Sequence, residues 1–226
     1  MSDDGYTLYG DIGSGSAAVE LVLAEIGATV RLHDVPLENE SQRGAGYTAI
    51  NAQRKLPTLL TPDGDVLTES AAILLYLAER YPEAHLMPAP GSPHRSAALR
   101  WLLFIATELY PLIEIIDYPE RFLPEDDASD HRSREATRTR VRGIWKRRWL
   151  IVESNAAGAT SFLASGFSVL DPYVAVVSRW AQLDDWRRDR LPRIEGIARA
   201  VAERRACGGI WARHFGPGSD ALPSPP

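Results

Sequence analysis

The chain has one cysteine, Cys207, in 226 residues. That excludes an internal disulfide and any zinc site built on several thiolates. Its histidines, His33, His85, His94, His131 and His214, are scattered, and no two share the spacing that sets a pair of ligands on one helical face. No metal is therefore expected. Charge of neither sign dominates: 25 Lys and Arg against 30 Asp and Glu leave a net of -5. A general polyanion binder needs a basic excess, so no nucleic-acid partner is implied. No apolar run approaches the roughly 20 residues of a membrane span. The opening Met1-Ser2-Asp3-Asp4 is not a basic segment followed by an apolar block. The expectation is a cytoplasmic chain with no membrane partner. Repeats and low-complexity blocks are missing ahead of the tail, and from His94 onward nothing alternates as a half-buried strand must.

This length suits one large domain or two small ones. The stretch from Arg54 to Tyr81 organises the rest. Two short apolar runs, Leu56-Pro57-Thr58-Leu59-Leu60 and Val66-Leu67-Thr68, flank Pro62-Asp63-Gly64 and predict a hairpin. Glu69-Ser70 then opens a helix in which Ala72, Ile73, Leu75, Tyr76, Leu77 and Ala78 recur at helical spacing. Upstream, a strand at Tyr6 to Tyr9, an apolar helix from Ser16 to Ile26 stopped by Gly27, and a strand at Thr29 to Leu32 make a βαβ unit. A short helix near Tyr47 to Ile50 precedes Pro57. The order β-α-β-α-β-β-α implies a four-stranded mixed sheet with helices on both faces.

Tyr81-Pro82 stops the third helix, and Met87-Pro88-Ala89-Pro90-Gly91-Ser92-Pro93 is hostile to any regular element. The expected division is a sheet domain over 1–82, a linker over 83–92, an all-α domain over 93–215, and a disordered tail over 216–226. Leu99, Leu102, Leu103, Ala106, Leu109, Tyr110 and Ile113 stripe one helix, which Pro111 should bend or divide at Tyr110. A second helix is expected from Ser133 to Ala156, with Val141, Ile144, Trp145, Trp149 and Val152 inward. The eight Lys and Arg from Arg132 to Arg148 read as its solvated face or a subunit contact. Ser168 and Asp171 have capping-box spacing at the start of a further helix. Leu191 to Arg205 is amphipathic, and the six tryptophans read as mostly core.

The chemistry of the central stretch is peptide recognition. A cis Leu56–Pro57 bond would turn the N–H and C=O of Leu56 outward, where an extended peptide can add as a strand. Helix-opening amides beside Ser70 favour a carboxylate, and Glu69 can accept from an ammonium. These residues suit a small zwitterionic peptide. Here the sequence resembles the glutathione transferase superfamily, whose thioredoxin-like domain carries a Val/Leu-Pro strand start and a Glu-Ser pair opening the next helix. The resemblance implies that Leu56, led by Pro57, pairs with the cysteinyl backbone of glutathione, and that Glu69 and Ser70 hold its γ-glutamyl end. The Ser168-x-x-Asp171 helix start is also a feature of the family's helical domain, which extends the resemblance to about residue 211.

Between the first strand and helix lies Tyr9-Gly10-Asp11-Ile12-Gly13-Ser14-Gly15-Ser16. Gly13-x-Gly15-x-x-Ala18 with Asp34 downstream also fits a loose dinucleotide fingerprint, the mark of an oxidoreductase, but that fold requires further parallel strands. A thiolate is the useful form of a thiol whose free pKa is about 8.5, and a hydroxyl aimed at the sulfur favours it. Ser14 resembles the activating loop serine of bacterial serine-type members, with Ser16 in reserve and Tyr9 behind it; Ser14 as a plain helix cap stays open. Gly15 stands where cysteine-type members have their cysteine. Lys55 is the candidate for the glycyl carboxylate, with Gln53 or Arg54 as alternatives. Trp101, Phe104, Glu108 and Tyr110 are candidates to line the cleft for a second substrate. The resemblance thus implies a homodimeric glutathione transferase, with glutathione as co-substrate and a small, largely apolar electrophile. The alternative is a glutathione-binding or partner-binding module without catalysis.

Overall fold

The computed structural model describes residues 5–217. The opening Met1 to Asp4 and all but the first two residues of the expected tail lie outside the described residues.

Strands β1 (Tyr6–Gly10), β2 (Val30–Asp34), β3 (Thr58–Leu60) and β4 (Val66–Thr68) form one sheet in the order β2-β1-β3-β4. β1 runs parallel to β2 and antiparallel to β3, and β3 and β4 form the expected hairpin. The single parallel pair removes the doubly wound sheet that the dinucleotide reading requires. Gly64 supplies the turn with φ 92°, and Thr61 closes it by accepting from the Asp65 N–H at 3.0 Å. β3 begins only after Pro57, because Arg54 sits at φ 57°, outside the strand region, and proline has no N–H to give a ladder; the Leu56–Pro57 bond is cis.

Alternate residues of β1 point to opposite faces. Tyr6 and Leu8 join the main apolar core with helices α1 (Ser16–Glu25) and, following a short α2 (Ala45–Ile50), α3 (Ser70–Arg80). Tyr9 packs in a smaller cluster of Val35, Tyr47 and Leu56 on the α2 side. α1 is buried along almost its whole length, as a helix apolar on every side must be: it packs on β1 and α3, and on helical elements from the end of the chain.

After a 3-10 turn at Pro82–Ala84 the described chain is helical apart from an isolated bridge between Leu163 and Gly166. Helix α4 (Pro93–Phe104) is capped by Ser92, which accepts from the Arg95 N–H at 3.2 Å. It passes through a π turn, Ile105–Leu109, into α5 (Tyr110–Asp117). Pro111 has no N–H to give, and the wider turn ahead of it absorbs that loss, so the helix continues and changes from π to α winding at Tyr110. After α6 (Glu125–Ala128), α7 runs over His131–Asn155, two residues earlier than the apolar spacing predicts, because Asp130 caps it by accepting from the Ser133 N–H at 2.7 Å. The wholly buried α8 (Leu170–Val177) is followed by a 3-10 turn at Trp180–Gln182, α9 (Asp184–Arg190), α10 (Pro192–Glu203) and α11 (Gly208–Phe215). The sequence reading had no separate helix at α9 or α11. At the start of α8, Asp171 accepts from the N–H groups of Phe162 and Ser168, at 2.6 and 2.7 Å, and from the Ser168 hydroxyl. Burial pushes its carboxyl up to about 6, against the pull of those donors. Among the described residues no helix is long and apolar enough to cross a membrane.

Candidate functional site

The turn before β3 is held from beneath by a buried polar network. Tyr47 and Asn51, both from the α2 region, donate to the Lys55 carbonyl at 2.7 and 2.9 Å, and both also reach the Thr58 hydroxyl. Burial raises the Tyr47 pKa, and its bonds to Thr58 and Asn51 offset only part of the rise, so its hydroxyl stays a neutral donor. Leu56, itself buried against Val35 and Tyr47, is thereby fixed in the turn. Its N–H has no partner among the described residues, while its carbonyl accepts from the Tyr110 hydroxyl at 3.2 Å. The expectation of two bare main-chain groups thus meets one bare group and one already touched by the helical region.

Beside it, Glu69 sits at φ 65° immediately before α3, a backbone region that costs a side-chain-bearing residue about 1–3 kcal/mol and is found at ligand clamps. Its carboxylate accepts from the Gln53 amide at 3.2 Å and is otherwise exposed. The Ser70 hydroxyl is the opposite case: it is buried, with the residue only 4% exposed, and has no hydrogen-bond partner among the described residues. A buried, unpaired hydroxyl is costly, and the first-turn amides of α3 have no helical acceptors either. Both ask for an acceptor from outside the protein.

Tyr110 closes the site from above. It is half-buried, edge-on to Trp180 at 4.7 Å and 85°. Burial pushes its pKa up to about 12, against the pull of the nearby Ser70 hydroxyl and with the push of the Glu69 charge. Gly15 is the fourth wall. Its φ of -61° is ordinary, so the glycine is there for space. A methyl on it would lie 2.4 Å from the Tyr110 oxygen, 2.9 Å from the Ser70 oxygen and 3.3 Å from Pro57 Cδ.

The loop leading to Gly15 is clamped. Gly13, at φ 72°, donates its N–H to His214 Nδ1 at 3.0 Å, and its carbonyl accepts from Trp180 Nε1 at 2.8 Å. Accepting at Nδ1 leaves the proton on Nε2, which faces the Glu20 carboxylate at 3.0 Å; Arg213 reaches the same carboxylate. Burial of Glu20 works to raise its pKa, but bonds from His214 and Arg213 and the Arg213 charge outweigh it, and the carboxyl is held below its usual range. Asp11 fixes the loop's start by accepting from the N–H groups of Ile12 and Leu37, each at 2.8 Å.

The sequence-derived candidates land unevenly. Leu56, Pro57, Glu69, Ser70 and Tyr110 come together. Ser14 and Ser16 do not join them: both are buried, their hydroxyls are 2.8 Å apart, and each takes the Asp11 N–H. Ser16 lines a different cleft, of about 490 Å³, with Gly10, Asp11, Glu20, His33 and Arg213. Lys55 is exposed and paired with Glu114 at 2.7 Å. Trp101 turns into the core, edge-on to Phe104 and Phe162, and Glu108, inside the π turn, pairs with Arg148 of α7 at 2.5 Å. Trp180, His214 and the network of Tyr47 and Asn51 were not anticipated. The available signal was Glu20, an acid in the middle of a largely apolar helix, which must find a partner. Among the described residues, no three His, Cys, Asp or Glu gather as a metal would need.

Residues 16–80 match the family model for the glutathione S-transferase N-terminal domain. A glutathione S-transferase of Escherichia coli O157:H7 is 29% identical, the alignment covering 85% of this chain and 90% of that one. A glutathione transferase homologue from Sulfitobacter, solved with bound glutathione, superposes with a TM-score of 0.82 at 24% identity over 93% of this chain and 98% of that one. A sphingomonad glutathione S-transferase, solved as its complex with glutathione, gives 0.74 at 26% identity over 92% of this chain and 98% of that one. With the mixed sheet and the helical region behind it, residues 16–80 are a glutathione S-transferase N-terminal domain, and the chain is similar to glutathione S-transferases over most of its length.

Proposed function

We propose that this chain is a glutathione-dependent transferase that binds the tripeptide along Leu56 and Ser70. The observation that carries the reading is the pair of unmet polar groups, the Leu56 N–H and the buried Ser70 hydroxyl, beside the opening of α3. The cysteinyl main chain would pair with Leu56. The γ-glutamyl carboxylate would take Ser70 and the first-turn amides, and Glu69 would accept from its ammonium. Lys55 would meet the glycyl carboxylate by exchanging its exposed partner Glu114, a pair of the kind worth about 0–1 kcal/mol. The glutathione complex of the sphingomonad relative supports the ligand's identity.

In the reaction the thiol proton leaves to solvent, the thiolate forms a bond to carbon of a small apolar electrophile, and the leaving group departs with its electron pair. A hydroxyl donor near the sulfur and the opening of α1 would favour the thiolate. The division into a sheet domain over 1–82 and a helical domain over 93–215, a homodimer, and a cytoplasmic setting belong to the same proposal.

One observation favours the alternative of a binding module without catalysis: the loop serines expected to activate the thiol spend their hydroxyls on each other and on Asp11. Calorimetry with glutathione, followed by turnover assays with aryl halides, enones, epoxides and peroxides, separates the readings. The transferase reading expects binding and turnover of at least one class. Binding with no turnover of any class would leave the module, and no binding at millimolar glutathione would end both.

A further inference from the structure

The geometry points to Tyr110 of the helical region, in place of either loop serine, as the residue that donates a hydrogen bond to the sulfur of the bound thiol. This rests on the glutathione reading and gives its chemistry to a named group.

The argument starts at the Leu56 carbonyl. An extended peptide that pairs with Leu56 brings a backbone N–H to that oxygen. The Tyr110 hydroxyl already donates to the same oxygen at 3.2 Å. A cysteinyl residue docked there therefore carries its side chain, which begins one bond from the paired nitrogen's own Cα, into the space the phenol borders. Its arriving N–H replaces the phenol as donor to the carbonyl, and the freed O–H turns to the sulfur. The exchange leaves no polar group unpaired.

Gly15 gives the second, independent observation. It is the loop position nearest this space, yet any side chain on it would meet the Tyr110 oxygen at 2.4 Å. The site has room for a group at position 15 or for the Tyr110 hydroxyl, and the sequence supplies the hydroxyl. Ser14 and Ser16 flank that glycine but turn inward, each bonded to the Asp11 N–H. Tyr110 is held to its place by Trp180, whose ring it meets edge-on while the indole N–H grips the Gly13 carbonyl. The π turn that ends at Leu109 sets the angle at which the phenol leaves the helix. A phenol that keeps its proton acts here as a donor to a thiolate; the thiol's own proton passes to solvent.

The experiment is an ultraviolet titration of the thiolate of bound glutathione, with calorimetry of glutathione binding alongside, on wild type, Tyr110→Phe and Ser14→Ala. Tyr110→Phe keeps the ring against Trp180 and removes one oxygen. The expected result is glutathione binding within about threefold of wild type, a bound-thiol pKa raised by about one unit toward the free value of about 8.5, and turnover near neutral pH down about tenfold. Unchanged pKa in Tyr110→Phe, with a rise in Ser14→Ala instead, would return the role to the loop and overturn the assignment. If wild type binds no glutathione, the tripeptide reading itself fails and takes the assignment with it. A second measurement does not depend on turnover: Gly15→Ala should weaken glutathione binding in the wild-type background and do so less when combined with Tyr110→Phe, since the two groups compete for one space. Equal losses in both backgrounds would count against the contact.

Discussion

The loop at Gly13 and the ledge at Leu56 meet at Gly15 but are finished in opposite ways. In the loop, both main-chain groups of Gly13, the Asp11 carboxylate and the serine hydroxyls all have protein partners. On the ledge, the Leu56 N–H and the Ser70 hydroxyl have none among the described residues. A buried hydroxyl without a partner opposes folding, so the contrast supports the proposed division into a scaffold side and a receptor side. It also yields a rule: removing a met group should cost stability, while removing an unmet one should cost only binding.

The largest effect belongs to a fully met group remote from the ledge. Asp171→Ala strands the N–H groups of Phe162 and Ser168 inside the helical core and should lower unfolding free energy by about 3 kcal/mol or more, read by urea denaturation. Next comes acid. Glu20 and Glu25 are both held below the usual glutamate range, Glu20 by His214 and Arg213 against its burial, Glu25 first by its bond from Arg204. A carboxyl depressed in the folded state contributes stability above its unfolded pKa and loses it as pH falls through the folded value. Stability should therefore decline below about pH 4.5, and His214→Leu should shrink the Glu20 share of that decline, measured as melting temperature against pH. The smallest effect is Lys55→Ala: it breaks an exposed ion pair and should move stability by less than about 0.5 kcal/mol while weakening glutathione a few-fold, more at low salt than at high.

What was legible in the sequence follows the same division. The hairpin, the Glu69-Ser70 helix start and a change of helical winding at Tyr110-Pro111 are each written in neighbouring residues, and the structure has all three. The Ser168 and Asp171 pair was legible for the same reason. The clamp on Gly13 was not, because its partners lie 167 and 201 residues away and nothing local marks Trp180 or His214 as more than core. The α11 helix hides behind Gly208-Gly209, a poor opening by intrinsic preference that docking against α1 overrides. Ser14 was placed by likeness of position in the loop. Its hydroxyl direction depends on the Asp11 turn, which spacing alone does not reveal.

The most direct test of the receptor side is Ser70→Ala, with glutathione affinity by calorimetry and unfolding free energy measured on the same samples. The account predicts affinity down about tenfold, or ~1.4 kcal/mol, with stability unchanged or slightly higher because a stranded hydroxyl has been removed. Unchanged affinity together with a loss of stability would contradict it.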